Sequence, residues 1–402
     1  VDRVAGVFVP LVLVLALLTA LSWWLAGAGT EMVLTRMVAV LVIACPCALG
    51  LATPIAILVG TGSGARHGIL FRNAAALESL QRLDTLMFDK TGTLTLGKPV
   101  LEEIKTWNGW TESEVLRLAA AAETGSEHPF GKAIVEAANS RNITFPKPES
   151  FEALTGSGVN ATVENQNLIV GRQNYILAKA ENKQLPEGWD EGAEAQTSVW
   201  MLVDGTLAAC MSFQDLPRPE SKEAVAKLRS MGLNPVMLTG DRLEVAEYLA
   251  HEAGLDEIRA GLLPQDKVNV LKEYQALGHR VGMVGDGIND APALATADVG
   301  IGMGSGTDVA LETADVVLMK NNLSHLADAF RLSRATLLNI RQNLFWAFAY
   351  NVLGIPVAAG VLIPFGGPAL HPVLAAAAMA LSSVSVVSNA LRLKNFRFAQ
   401  AS

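Results

Sequence analysis

From residue 343 to residue 390 the chain contains no Asp, Glu, Lys or Arg. Few water-soluble folds can place so long an uncharged stretch. It has room for two helices of the about 20 apolar residues that cross a bilayer, read here as 343–365 and 371–390. Two further runs, 4–30 and 37–65, are likewise uncharged. Trp23 and Trp24 stand near the end of the first, where an interfacial aromatic belt would lie. Buried core helices of a soluble protein are the competing reading, and four such runs weigh against it. Of all residues, 50% are hydrophobic and 17% charged, where soluble chains carry roughly one quarter charged.

The runs bracket an insertion, 66–342, of ordinary soluble composition. Arg66, Arg72, Arg331, Arg334, Arg341, Arg392, Lys394 and Arg397 flank the insertion and the C-terminus. The hairpin loops near 27–36 and 366–371 carry one basic residue between them, Arg36. Basic residues mark the cytoplasmic side. The expectation is a multi-pass protein of the cell membrane, in contact with lipid, with insertion and tail in the cytoplasm. A net charge of −8 gives no reason to expect nucleic acid. Three cysteines, Cys45, Cys47 and Cys210, argue against a disulfide framework. The chain opens without Met and runs into an apolar helix too long for a signal peptide, so a fragment of a longer protein is expected.

Within the insertion, apolar runs end in polar, glycine-rich loops. "DTLMF" leads to Asp89, "NPVML" to Thr239–Asp241, and "RVGMV" to Gly285–Asp290. Helical patterns fall between them, at 218–231 and 243–254. Strands alternating with helices predict a doubly wound parallel sheet, whose ligands bind beyond the carboxyl ends of the strands. Asp89, Thr239, Asp286 and Asp290 lie at or just past such ends. Acidic loops meeting in one crevice repel unless a cation sits between them, and Mg²⁺ suits carboxylate oxygens. Asp89 and Asp286 are the expected ligands, with Asp290 close by. An Asp carboxylate can also attack phosphorus and form an acyl phosphate. Thr239, glycine-loop N–H groups and Lys267 of "PQDK" are candidate partners for the charge that develops there. "GDG" or "TGD" alone is more often a plain turn; all of them in this order, each after a strand, point to a site.

Residues from about 100 to 210 interrupt that sheet. They hold "SEHP" (126–129), "GSG" (156–158) and "VGRQN" (170–174). Small glycine loops let a nucleotide approach the backbone closely. His128 either stacks on or hydrogen-bonds an adenine, or is a surface-loop residue; the residues alone leave both open.

"DKTGTLT", "TGD", "PQDK" and "GDGINDAP", in this order, resemble the motifs of P-type ATPases, and the likeness covers essentially the whole chain. The resemblance implies an α/β fold plus transmembrane helices. A doubly wound parallel-sheet phosphorylation domain (67–99 and 211–325) would carry an inserted α+β nucleotide-binding domain (100–210). Four membrane-spanning helices would complete it, two in 1–66 and two, with a cytoplasmic tail, in 326–402. It further implies that ATP phosphorylates Asp89, with Thr239 and Lys267 assisting. Mg²⁺ would be held by Asp89, the main-chain carbonyl of Thr91 and Asp286, near Asp290. Glu123, His128, Gly156 and Gly158 match the nucleotide domain of the heavy-metal subfamily and would bind ATP. The family's actuator "TGE" does not occur. A fragment lacking that domain is expected, able to be phosphorylated but poor at hydrolysing the phosphoenzyme.

"ACPCALGLATP" (44–54) lies inside the second run. Pro46 breaks a helix there, Cys45 and Cys47 flank it, and such a break within a membrane lines a cavity or a site. Two small buried cysteines are the plain alternative. Thiolates select soft ions such as Cu(I) and Zn²⁺. The last two spans add no carboxylate for a divalent ion; they offer Tyr350, Asn351, Met379, Ser382 and Ser383. Met379 and Ser383 are one helical turn apart and share a face. This set suits a monovalent soft cation. "YN" with "MxxSS" also resembles the copper(I)-transporting subgroup, whereas zinc-transporting relatives carry a Lys and an Asp in those helices. The implied cargo is Cu⁺, held by Cys45, Cys47, Tyr350, Asn351, Met379 and Ser383 and supplied by a cytoplasmic metallochaperone. Ag⁺ would satisfy the same ligands. The rivals are a zinc or cadmium pump, a membrane-tethered phosphatase without transport, and a metal sensor without turnover. The phosphatase would carry a second Asp two residues after its nucleophile, where Thr91 stands.

Overall fold

The computed structural model describes residues 2–45, 47–126, 128–154, 157–182, 197–241, 243–286, 290–304, 306, 308–320 and 322–398. The chain divides into two compact units. The first is Val1–Arg82 with Asp315–Lys320 and Ser324–Ser402; the second is Leu83–Ala314 with Asn321–Leu323.

The first unit opens with the helices α1 (Asp2–Leu25), α2 (Thr30–Ile43) and α3 (Cys47–Arg66), followed by β1 (Ile69–Phe71) and α4 (Ala74–Leu80). The expected break in the second apolar run is present: α2 stops at Ile43 and α3 starts at Cys47. Pro46 itself lies outside the described residues. α2 begins earlier than 37, so Arg36 belongs to the helix and not to a loop. It is buried, and its Nη1 donates to the Leu370 carbonyl at 2.9 Å. Asn73 caps α4, its Oδ1 accepting from Ala76 N at 2.8 Å.

The second unit follows the strand–helix alternation read from the sequence. Its elements begin with β2 (Thr85–Asp89), β3 (Thr95–Thr106), α5 (Glu112–Glu123), α6 (Pro129–Ser140), β4 (Ser150–Leu154), β5 (Gly158–Val163) and β6 (Gln166–Gly171). They continue with α7 (Gln173–Lys179), β7 (Thr197–Val203), β8 (Thr206–Pro217), α8 (Ser221–Ser230), β9 (Asn234–Leu238), α9 (Leu243–Ala253) and β10 (Glu257–Arg259). The last are α10 (Pro264–Ala276), β11 (Val281–Gly285), α11 (Ala291–Thr296), β12 (Val299–Met303) and α12 (Asp308–Thr313). Strands in the order β12-β11-β2-β9-β10 pair in parallel. β2 has a partner on each side, and all five of its residues are buried. That is why "TLMFD" reads as a continuous apolar run and not an alternation. The remaining strands form an antiparallel sheet, β3-β8-β7-β6-β5-β4, running from Thr95 to Pro217, wider at both ends than the 100–210 read from the sequence. α5 and α6 cover one of its faces through Leu116, Leu118, Ile134, Val170 and Phe213. α7 covers Trp200, Leu202 and Cys210.

The chain then returns to the first unit with β13 (Val316–Leu318), antiparallel to β1, and with α13 (Ser324–Ala359) and α14 (Pro372–Leu391). Among the described residues, three helical stretches are long and apolar enough to cross a membrane: Gly6–Leu25, Thr30–Arg66 and Pro372–Asn395. Of the expected third span, 343–365, residues 343–359 form the second half of the 36-residue α13, which falls short of their apolarity. The reason is its polar content. Asn339, Asn343 and Asn351 are buried against neighbouring helices. Asn339 Nδ2 donates to Asn389 O (2.8 Å), Asn389 Nδ2 to Asn343 Oδ1 (2.9 Å), and Asn343 Nδ2 to Asn339 Oδ1 (3.1 Å). Such amide bonds join α13 to α14 where the hydrophobic effect gives no drive. Small residues let the helices approach: Ala48, Ala52, Ala347 and Val386 form one cluster. Trp23 Nε1 donates to Ala359 O at 2.8 Å at the end of α13, and Trp24 is exposed.

Candidate catalytic and metal-transport sites

In the parallel sheet the chain runs outward from β2 to β9 and β10, then returns to place β11 and β12 on the other side. The order therefore reverses between β2 and β11, and the crevice beyond their carboxyl ends is where such sheets bind ligands. Asp89 is the last residue of β2 and Asp286 follows β11. Asp290 precedes α11. Oxygens of these three carboxylates lie within 4.8 Å of one another. Lys267, in the first turn of α10, reaches between them: its Nζ is 2.5 Å from Asp89 Oδ1 and 2.7 Å from Asp290 Oδ1. Thr239 is buried just past β9, its Oγ1 accepting from Asp241 N at 3.1 Å.

Burial, then the charge of Asp290, pushes the Asp89 carboxyl from 3.8 up to about 6, although Lys267 pulls the other way. Asp286 is pushed to about 6 by burial and by Asp290, against the pull of Arg218. Burial works against the charge of Lys267, but Asp89 and Asp290 outweigh it and hold its pKa above the ordinary value. One ammonium is thus short of what three crowded carboxylates need, and a divalent cation fits this donor set.

The loop after Asp89 is shaped for close approach. Gly92 has φ +73, and a Cβ there would overlap the Asp286 carboxylate. Arg218, buried, clamps the loop from behind: Nη2 donates to Gly92 O at 2.7 Å and Nε to Thr93 O at 2.8 Å. Thr93 is buried with no partner for its hydroxyl. Asp215 accepts from Thr95 Oγ1 (2.5 Å) and Gly97 N (3.0 Å), fixing the crossing of β3 and β8. Arg218, Asp215 and Thr93 are not among the residues that the sequence singles out for a role; a lone Arg set between Pro217 and Pro219 is the available signal for the first.

Thr91 and Lys90 border a cleft of about 630 Å³ whose other walls include His128, Phe130, Phe213 and Tyr248. His128 caps α6, its Nδ1 accepting from Phe130 N at 3.3 Å. Glu123 does not line the cleft. It ends α5, buried, with Oε2 unpartnered, and burial raises its pKa. The absence of a side chain at Gly158 answers a local need, since a Cβ would strike the Val170 carbonyl. The "GSG" and "VGRQN" segments do meet: Gly158 pairs with Gly171, and both border a smaller hollow lined by Ser157, Arg172 and Tyr175. Gly156 lies outside the described residues.

At the break in the second apolar run, Cys45 is half-buried. The side chain of Cys47 lies outside the described residues. Ile43, Val40, Met379 and Tyr350 pack in one cluster. α13 comes close enough to α2 that a Cβ on Gly354 would meet Ile43 Cγ1 at 2.6 Å. One turn before Gly354, Asn351 is buried with its Oδ1 unpartnered. Ser382 is buried and Ser383 half-buried. Cys210 is elsewhere, on β8; burial pushes its thiol up to about 12, which leaves it inert at neutral pH.

Residues 83–298 match the haloacid dehalogenase-like hydrolase family, and 267–330 match a second model of the same description. The catalytic domain of the CPx-ATPase CopB-B is 30% identical, with TM-score 0.56, and 98% of it is covered by 67% of this chain. The chain belongs to the P-type ATPases. It is 49% identical to a silver exporting P-type ATPase of Salmonella typhimurium over 98% of its own length and 48% of the relative's. It is 46% identical to a copper-exporting P-type ATPase of Bacillus subtilis, again over 98% of this chain and 49% of that one. A zinc-transporting PIB-type ATPase structure matches 98% of the chain at 39% identity and TM-score 0.80, with 63% of that protein covered. This P-type ATPase chain spans about half the length of the curated relatives it matches.

Proposed function

We propose that this chain is the catalytic and membrane portion of an ATP-driven copper(I) exporter that works through an aspartyl phosphate on Asp89. The observation that carries the reading is the cluster at the switch point: Asp89 with Lys267 Nζ at 2.5 Å and the carboxylates of Asp286 and Asp290 within 4.8 Å. Asp89, the Thr91 carbonyl and Asp286 would hold Mg²⁺, with Asp290 beside them; when bound, it neutralises charge on the phosphates of ATP. An Asp89 oxygen attacks the γ-phosphorus, the bond to the bridging oxygen breaks, and ADP departs with the electron pair. Lys267 stays beside the transferred group as a point charge. Thr239 and the unpartnered hydroxyl of Thr93 are donors to its oxygens. Thr91 stands where a phosphatase would hold a second carboxylate to activate water, which favours a longer-lived acyl phosphate over simple phosphatase turnover. His128, Glu123, Gly156 and Gly158 serve the nucleotide, with His128 on the cleft and Glu123 behind it.

The cargo is assigned to Cu⁺, with Ag⁺ as an equivalent, through Cys45, Cys47, Tyr350, Asn351, Met379 and Ser383. The absence of any carboxylate from residues 343–390 supports this over a divalent ion; the unpartnered buried oxygen of Asn351 is open to a ligand. The basic residues that flank the insertion and the tail support a cytoplasmic catalytic unit, with access to ATP and a metallochaperone. The test is phosphorylation from labelled ATP in the presence of Cu(I), Ag(I) or Zn²⁺, comparing wild type with Asp89→Asn and Cys45→Ser. Label on Asp89→Asn would remove the nucleophile assignment. Stimulation by Zn²⁺ and not by Cu(I) would replace copper with zinc.

A further inference from the structure

The cleft bordered by Lys90 and Thr91 is also lined by an aromatic pair. Phe213 lies on β8, 3% exposed, on the sheet face that α5 and α6 cover. Phe130, in the first turn of α6, packs over it with ring centroids 5.0 Å apart and planes at 45°. Phe130 is only half-buried, and both rings line the cleft. Its ring is therefore supported from behind and open in front. His128 lies beside it, centroid to centroid 5.1 Å. Because the His128 Nδ1 accepts from Phe130 N, the neutral ring carries its proton on Nε2, which is left as a donor. Lys90, which pairs with Asp241 at 2.7 Å, borders the same cleft. A lining that combines aromatic rings with a lysine suits a nucleoside triphosphate, which joins a flat base with apolar faces to anionic phosphates.

We propose that Phe130, backed by Phe213, is the stacking platform for the base of the bound nucleotide, with His128 beside it donating from Nε2. This rests on the nucleotide reading of the cleft and adds to it the residue that holds the base. It also assigns His128 a different task from stacking, since its ring is tied to the start of α6 by the capping bond. Stacking on an aromatic side chain acts on the base alone and leaves the phosphates untouched, so the two contributions can be separated by the choice of ligand.

Calorimetric titration of the full chain in detergent, with a non-hydrolysable ATP analogue and with inorganic tripolyphosphate, makes that separation. Phe130→Ala is expected to weaken the analogue roughly 5- to 100-fold, the range of a lost base–aromatic stack, and to leave tripolyphosphate unchanged. Phe130→Tyr is expected to retain wild-type affinity for both. An unchanged affinity of Phe130→Ala for the analogue overturns the stacking role and leaves the nucleotide reading standing. Equal weakening of both ligands also overturns it, because the truncation then acts through the fold of α6. Wild-type protein that binds neither ligand overturns the nucleotide reading and the stacking role together.

Discussion

Replacing Asp89 by Asn is expected to stabilise the Mg²⁺-free protein at neutral pH even as it removes the phosphoryl acceptor. The carboxyl is held at about 6 against an ordinary 3.8, by burial first and by Asp290 second. A folded pKa above the unfolded one means that folding disfavours the ionised form. The penalty is absent below about pH 4, grows as pH rises through 6, and is complete above it. A shift of about two units corresponds to about 3 kcal/mol. Asn keeps the shape and removes the charge. Lys267 loses one anionic partner by this change but keeps Asp290 at 2.7 Å. The expected gain is therefore smaller, about 1–3 kcal/mol at pH 7.5, or about 2–8 °C in the unfolding midpoint of a unit this size. Thermal unfolding of the full chain in detergent between pH 4 and 8, without Mg²⁺ and followed by tryptophan fluorescence, reads it. The gap should close toward pH 4, and added Mg²⁺ should narrow it at pH 7.5 by stabilising wild type. A variant less stable than wild type at pH 7.5, or a difference that ignores pH, would refute carboxylate crowding as the dominant force in this crevice.

Mg²⁺ affinity, measured by Mg²⁺-induced stabilisation, should fall as pH drops through about 6, since Asp89 and Asp286 both take up protons there; a flat response from pH 5 to 7 contradicts this. Lys267→Met strands Asp89 and Asp290 without their cation and should cost about 3–5 kcal/mol at pH 7.5. Urea unfolding should show a smaller loss at pH 5, where Asp89 is more protonated; equal losses at both pH values count against the pairing. Arg218→Ala removes the donors to Gly92 O and Thr93 O, which should cost about 2–3 kcal/mol. It should also slow phosphoenzyme formation by about 10²-fold through loss of loop position, read by rapid-quench phosphorylation; an unaffected rate would remove Arg218 from the positioning of the loop.

Much of the architecture could be read along the chain. Strand period, turn chemistry and runs of uncharged residues are local properties, set by each residue and its near neighbours. They place Asp89, Thr239, Asp286 and Asp290 at the ends of apolar runs, predict a doubly wound sheet with an inserted domain, and put the helix break beside Cys45. Sequence order alone could also propose Lys267, because it sits in a motif.

The pairing of those residues was decided by the tertiary structure. Lys267 bonds Asp89 across 178 residues and Asp290 across 23, because the strand order brings the ends of β2 and β11 together over the start of α10. Arg218 reaches the loop after Asp89 from 125 residues away, and no periodicity marks a single arginine for that task. Phe130 becomes a half-open platform only because Phe213, on a strand formed much later in the chain, lies beneath it. The partners of Trp23 and of the α13 asparagines lie on other helices, and no local pattern names them. A local pattern states which groups must be buried or must find partners. Which partner each one meets depends on contacts between distant segments, and these exist only once desolvation and packing have brought the segments together.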